Sequence, residues 1–217
     1  MKPNAVIFDL DGTLLDTLSD IAEASNRSLT EFGFPIHPLK DYRTLVGDGV
    51  FILFRRALPA AVADDSVVVD QCVVAFHRHY DQLWSATSRP YDGIPELLEE
   101  LVDRGLRLGV LSNKPHEFTV ECVRHFFPQI PFGAVFGHRA DVPRKPDTTG
   151  VEEILRKLDS TAESCLYLGD TNTDMQTARN AKCTAVGVSW GFRSVEELIA
   201  NGAEHLIDAP EQLLRLL

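Results

Sequence analysis

The chain has 217 residues, 44% apolar and 24% charged, which suits a soluble globular protein with one sizeable core, or a core plus a small second domain. A formal net charge of −11 argues against nucleic acid or an anionic membrane as partner, since both require basic surfaces. Cys72, Cys122, Cys165 and Cys183 are scattered with no CxxC pair, which fits reduced, buried thiols better than a disulfide framework or a zinc site.

Met1-Lys2-Pro3-Asn4 leads at once into the apolar run Ala5-Val6-Ile7-Phe8. This is neither a signal peptide nor a membrane span, so a cytoplasmic location is expected. The run predicts a buried strand, followed by Asp9-Leu10-Asp11-Gly12-Thr13. Side chains alternate along a strand, so acids at i and i+2 leave on one side. Such acids at the end of a buried strand sit where open α/β sheets bind ligands. A hairpin turn at Asp11-Gly12 is the competing reading.

From Thr17 to about Trp84 the patterns are helical. Ile21, Ala24, Ser25, Ser28, Leu29 and Phe32 keep helical spacing behind Thr17-Leu18-Ser19-Asp20, which resembles a capping box. Gly33, Pro35 and Pro38 break that helix. Val50, Leu53, Phe54 and Leu58 predict another, and Val67 to Leu83 a longer one, although Val67-Val68-Val69 is also strand-like.

After Pro90-Tyr91-Asp92-Gly93 strands and helices alternate. Helix Ile94–Arg104 leads to strand Leu106–Leu111, then a helix from Glu117 to Phe126 and a short strand Ala134–Phe136. Val151, Ile154, Leu155 and Leu158 define an amphipathic helix capped by Thr149 with Glu152. Strand Cys165–Leu168, helix Met175–Asn180, strand Thr184–Val188, a helix capped by Ser194 with Glu197, strand His205–Ile207 and a terminal helix follow. This alternation predicts an α/β fold: a doubly wound, mostly parallel sheet. The expected organisation is an α/β core from 1–15 and 88–217, with an all-helical segment 16–87 inserted after the first strand.

Three further strand ends carry related chemistry. Ser112-Asn113-Lys114 offers a hydroxyl, an amide and backbone N–H groups to anionic oxygens near a helix start. Lys145-Pro146 precedes a helix, where the proline can aim the lysine inward. Gly169-Asp170-Thr171-Asn172-Thr173-Asp174 puts Asp170 at a strand mouth and Asp174 a turn beyond it. An N-cap accounts for either acid but not for both. The set is oxygen-rich and lacks His or thiolate, so the cation it suits is Mg²⁺.

In order and context, Asp9-x-Asp11-Gly12-Thr13, Ser112-Asn113-Lys114, Lys145-Pro146 and Gly169-Asp170-x-x-x-Asp174 resemble the motifs of the haloacid dehalogenase-like hydrolase superfamily. The resemblance spans essentially the whole chain. Asp9 through Thr17, Pro90 through Leu98, and Gly187-Val188-Ser189-Trp190-Gly191-Phe192 are similar to its phosphoglycolate phosphatase group, as is the short cap segment Val46-Gly47-Asp48-Gly49. The helical insertion resembles that superfamily's cap domain.

The resemblance implies roles. Asp9 is the expected nucleophile, forming an aspartyl-phosphate, and Asp11 the acid–base partner. The Asp9 carboxylate, the Asp11 carbonyl and Asp170 are the expected Mg²⁺ ligands, with Asp174 supporting them. Ser112, the Asn113 N–H and Lys145 are expected to hold the phosphoryl group. A carboxylate meeting a phosphate dianion faces repulsion of about 4 kcal/mol per charge pair at ~4 Å and an effective dielectric of ~20. Mg²⁺ and Lys145 offset it.

The expected partner is a small phosphorylated metabolite, foremost 2-phosphoglycolate, then a sugar phosphate, nucleotide or pyrophosphate. A sugar phosphomutase and a non-catalytic binding protein are lesser alternatives. Haloacid dehalogenases lack an acid at the place of Asp11, and Lys40, the only cap lysine, does not sit in the surroundings of a phosphonate hydrolase. Arg43, Arg55 and Arg56 are candidates for a substrate carboxylate, with at least two expected to be solvated or salt-bridged. His77 and His79, at i and i+2 on a helix, cannot face one ligand. Thr148 stands where the family often has proline, a departure expected to loosen the next helix start. A monomer and a homodimer are both compatible with the sequence.

Overall fold

The computed structural model describes residues 2–217; Met1, the first residue of the expected core, lies outside the described residues. The chain divides into two compact units, one running to Leu15 and resuming at Pro90–Leu217, the other Asp16–Arg89.

The first unit is built on six parallel strands: β1 (Ala5–Phe8), β4 (Arg107–Pro115), β5 (Ala134–His138), β6 (Cys165–Gly169), β7 (Thr184–Val188) and β8 (His205–Ile207). Their order is β5-β4-β1-β6-β7-β8. The doubly wound sheet expected from the alternating pattern is therefore present. β1 lies inside the sheet, with Ala5 opposite Arg107 on one side and Cys165 on the other. All four of its side chains are fully buried, because both of its faces are covered, as in parallel sheets generally. Ala5 and Ile7 share an apolar cluster with Val151, Ile154, Tyr167 and Met175. Val6 and Phe8 point to the opposite face.

Helices α5 (Ile94–Asp103), α6 (His116–Phe126), α7 (Thr149–Lys157), α8 (Asn172–Ala181) and α9 (Val195–Ala200) connect these strands. Ser194 caps α9 by accepting from the Glu197 N–H, as its spacing implies. The α7 start differs from expectation. Thr149 is its first residue rather than its cap, and Asp147 accepts from the Thr149 N–H at 2.8 Å. Thr148 donates to Glu152 at 2.7 Å, so the turn at Thr148 is held by side chains rather than loosened. The terminal helix is a 3-10 helix, Pro210–Leu216.

The second unit holds four helices, α1 (Leu18–Glu31), α2 (Leu39–Leu45), α3 (Val50–Ala57) and α4 (Ser66–Leu83). Short strands β2 (Leu15–Asp16) and β3 (Arg89–Pro90) pair where the chain enters and leaves it. α1 packs on α4, and Phe76 stacks on Tyr80 with ring centroids 5.1 Å apart. Val67–Val69 are helical because Asp65 caps α4, accepting from the Val67 and Val68 N–H groups. α2 was not apparent in the sequence; Pro38, read there only as a breaker, occupies its N-cap, where proline costs little. Thr17 occupies the α1 N-cap without a capping hydrogen bond from its side chain. Asp20, the other end of the expected capping box, instead accepts from the backbone N–H and hydroxyl of both Thr87 and Ser88 at 2.6–3.0 Å.

Candidate active site

The C-terminal ends of β4, β1 and β6 are neighbours, and each delivers polar side chains to the same place. β1 delivers Asp9, which is 6% exposed. β6 delivers Asp170, which is fully buried, and the following first turn of α8 adds Asp174, also fully buried. One oxygen from each of these three carboxylates can be chosen so that all lie within 4.8 Å of one another. Lys145 enters from the segment before α7, across a cis Lys145–Pro146 bond. Its Nζ donates to Asp9 Oδ1 and Asp174 Oδ1, each at 2.7 Å.

Each group is held by its surroundings. Asn113 brackets the Lys145 backbone, accepting from its N–H at 3.0 Å and donating to its carbonyl at 3.4 Å. The Asn113 side chain is thus committed to structure. Asp170 accepts from the Thr13 hydroxyl at 3.0 Å and the Phe192 N–H at 2.8 Å. The Trp190 indole donates to the Thr13 carbonyl at 3.1 Å, so the Ser189–Phe192 segment clamps the loop after β1. Gly12 has φ +93, and a Cβ there would overlap the Asp170 carboxylate; only glycine combines that backbone with that closeness. Gly191 packs against Asp170 as tightly from another side.

Asp174 serves two roles. Its Oδ2 accepts from the Thr171 N–H at 3.1 Å and hydroxyl at 2.6 Å, completing a capping box at the α8 start. Its Oδ1 takes Lys145 and, at 3.4 Å, the Tyr167 hydroxyl. The cap reading and the site reading of this residue are both correct, one for each oxygen.

The electrostatics follow from crowding acids in a dry place. Burial, then the neighbouring Asp174, raises the Asp9 pKa to about 7, although Lys145 pulls the other way. Burial and the charges of Asp9 and Asp174 push Asp170 well above the carboxylate range. Lys145 is held firmly protonated: burial opposes its charge, but Asp174 and Asp9 more than compensate. Three buried acids share one ammonium, so the cluster has a deficit of positive charge. A hard divalent cation fits that deficit and the all-oxygen donor set.

Ser112 lies at the end of β4, buried, and its hydroxyl accepts from the Lys114 N–H at 3.2 Å. β4 itself continues through Ser112–Lys114 to Pro115, past the expected end at Leu111, with an irregularity in its register. Asp11 stands apart from the three-acid cluster. Its carboxylate accepts from Lys114 Nζ at 3.0 and 3.2 Å. Lys114 was not singled out from the sequence as a site residue, although it shares strand parity with Ser112. Thr13, Thr171 and Tyr167 were likewise missed.

Of the cap arginines, Arg55 pairs with Asp64 and Arg56 with Asp48. His79 contacts Glu31. The four cysteines are buried free thiols. Among the described residues no helix is long and apolar enough to cross a membrane.

Residues 6–188 match the model of a family described as haloacid dehalogenase-like hydrolase. The chain is 32% identical over 199 residues to a phosphoglycolate phosphatase of Thiobacillus denitrificans, covering 89% of this chain and 88% of that one. It is 28% identical over 215 residues to a phosphoglycolate phosphatase of Vibrio parahaemolyticus, covering 97% and 94%. A crystal structure from Lactobacillus delbrueckii subsp. bulgaricus, of a protein proposed to be a phosphoglycolate phosphatase, superposes with a TM-score of 0.92 at 31% identity, over 98% of this chain and 97% of that one.

Proposed function

The chain belongs to the haloacid dehalogenase-like hydrolase family as one of its phosphatases, and we propose that it is a Mg²⁺-dependent phosphomonoesterase that works through an aspartyl-phosphate on Asp9, with 2-phosphoglycolate as substrate. The observation that carries this reading is the Asp9 carboxylate at the mouth of a central strand, bound to Lys145 and crowded by Asp170 and Asp174.

In this reading an Asp9 carboxylate oxygen attacks phosphorus, the P–O bond to the alkoxide breaks, and Asp11 protonates the departing oxygen. Asp11 then takes a proton from water, which attacks the aspartyl-phosphate and releases Asp9 and inorganic phosphate. Two displacements replace one difficult hydrolysis, and acid–base help of this kind is worth about 10²–10⁴-fold. Lys145 Nζ, the Ser112 hydroxyl and the Asn113 N–H hold the phosphoryl oxygens. Asn113 suits the last role because its side chain already fixes Lys145. Asp9, Asp170 and the Asp11 carbonyl would hold Mg²⁺, with Asp174 supporting them, and the bound ion would supply positive charge to the phosphoryl oxygens. The helical unit Asp16–Arg89 is assigned as the cap that sets substrate choice, and the protein as cytoplasmic. The substrate assignment draws on the names of the relatives.

The test is phosphate release from 2-phosphoglycolate, sugar phosphates, nucleotides and pyrophosphate, with Mg²⁺ and with EDTA. Metal-dependent preference for 2-phosphoglycolate, abolished in Asp9→Asn, is expected. Preference for another ester would retain the mechanism and remove the substrate. Full turnover by Asp9→Asn would remove the mechanism.

A further inference from the structure

We propose that Lys114 is a positioning residue for Asp11 and acts through it on departure of the leaving group. The inference rests on the assignment of Asp11 as the acid–base residue. Lys114 Nζ meets both oxygens of the Asp11 carboxylate, at 3.0 and 3.2 Å. The pair joins the end of β4 to the loop that follows β1, the strand beside it. The side chains are only 5% and 16% exposed.

A buried ion pair of this kind is a poor stabilising device, because desolvation consumes most of the attraction, and apolar side chains of similar volume often do as well. Lysine is among the residues least often buried. A second ammonium inside the site therefore calls for a task. It does not duplicate Lys145, whose carboxylate partners are Asp9 and Asp174. The two lysines divide the acids between them: one serves the nucleophile and the cation cluster, the other the acid–base group.

Contact with both oxygens fixes the plane of the Asp11 carboxylate as well as its place. A proton-transfer group must lie within hydrogen-bond reach of the departing oxygen, and misplacement by about 1 Å can cost around 10²-fold. In the step concerned, the proton leaves the Asp11 carboxylic acid for the alkoxide oxygen as the P–O bond breaks. Lys114 keeps its protons and makes no covalent bond. β4 supplies the placement: its end carries both Ser112 and Lys114, and the Ser112 hydroxyl accepts from the Lys114 N–H at 3.2 Å.

The prediction concerns leaving groups. An alkoxide needs a proton to leave; p-nitrophenolate does not. Transfer of the phosphoryl group to the enzyme is followed in single turnovers with Mg²⁺, using 2-phosphoglycolate, glycerol 3-phosphate and p-nitrophenyl phosphate. Lys114→Met should slow transfer from both alkyl esters by about 10²-fold and from p-nitrophenyl phosphate by less than about 10-fold. Lys114→Arg should recover part of the alkyl rate. Melting temperature and Mg²⁺ half-saturation show that each variant is folded, and Lys114→Gln replaces the methionine variant if that one is not. Equal losses on all esters would overturn the proposal, as would no loss, or a rise in KM confined to the carboxylate-bearing ester. Asp9→Asn and Asp11→Asn run alongside. If Asp11→Asn leaves the alkyl rate intact, the underlying assignment falls too; if it behaves as an acid–base variant while Lys114→Met does nothing, the Lys114 proposal alone falls.

Discussion

Replacing Asp9 by asparagine removes one titrating carboxylate from the buried cluster, and the structure sets how that removal reads out against pH. Burial, with help from Asp174, lifts the folded-state pKa to about 7, from an ordinary value of 3.8. Between those values the folded protein keeps a proton that the unfolded chain has released. The stability tied to that proton is complete below the ordinary value and is lost as pH rises through the folded one. Each pH unit well inside the window is worth about 1.4 kcal/mol and less close to the folded value, so the metal-free wild type should lose about 2 kcal/mol relative to Asp9→Asn between about pH 5 and pH 7. Taking the difference between the two proteins cancels titrations they share, such as that of His138, whose pKa is lowered chiefly by burial. Urea denaturation in EDTA at half-unit pH steps measures the gap. Adding Mg²⁺ at neutral pH should close it from the wild-type side, by about 2.7 kcal/mol at a hundred times the dissociation constant, and should do little for the variant. A gap that stays flat across the window in EDTA would refute the crowded, cation-deficient picture of the site.

Asp20→Ala should destabilise the protein by about 3 kcal/mol in urea denaturation, since charge-assisted bonds to Thr87 and Ser88 are lost and the buried Ser88 donors stranded. Hydrogen bonds from Ser88 and Thr87 outweigh burial and lower the Asp20 pKa, so the part of this increment tied to ionisation is present above the ordinary carboxylate value and lost from the wild type as pH falls from there through the lower folded value, while the variant shows no such loss. Gly12→Ala puts a methyl group into the Asp170 carboxylate at a positive φ; the expected result is at least a tenfold rise in the Mg²⁺ concentration for half-maximal activity, by titration of phosphate release. Arg55→Ala and Arg56→Ala should change KM for 2-phosphoglycolate by less than about threefold, because both guanidinium groups are engaged by Asp64 and Asp48 on a largely exposed surface. A tenfold rise would make one of them a carboxylate-binding residue.

Asp9, Asp170 and Asp174 could be found in the sequence because local rules place them. A buried strand delivers whatever follows it to the sheet edge, and an acid a few residues later falls on the first turn of the next helix. Convergence of the three strand ends needed only the alternation of strands and helices. Lys114 was not legible for a physical reason: its partner lies 103 residues away, and Pro115 made Ser112–Lys114 look like a helix start, although β4 runs on to Pro115. Asp20 misled for the same reason. Local spacing suggested a capping box, but Thr87 and Ser88, 67 and 68 residues further on, offered donors better placed than the helix end. Asp65 was hidden by three valines whose side chains favour strands, until a cap and tertiary packing of α4 outweighed their propensity. The strand-end acids and Lys145 were readable; the pairing of Lys114 with Asp11 was not.

Those ion pairs explain why the site needs both lysines. With all groups ionised, Asp9, Asp11, Asp170 and Asp174 face only the ammonium groups of Lys145 and Lys114, leaving an excess of two negative charges. One divalent cation cancels that excess, and a rearrangement of surface charge could not, because Asp9, Asp170 and Asp174 are buried. In the proposed reading a bound divalent cation and Lys145 would together offset the charge of an entering phosphate dianion. Without Lys114 the Asp11 side chain would lose its tether where, in the proposed reading, the leaving oxygen gains charge as the P–O bond breaks. The cost would fall on departure of a poor leaving group more than on binding. If Asp9 and Asp11 act as proposed, the arrangement separates their tasks in space, with Lys145 beside Asp9 and Lys114 beside Asp11.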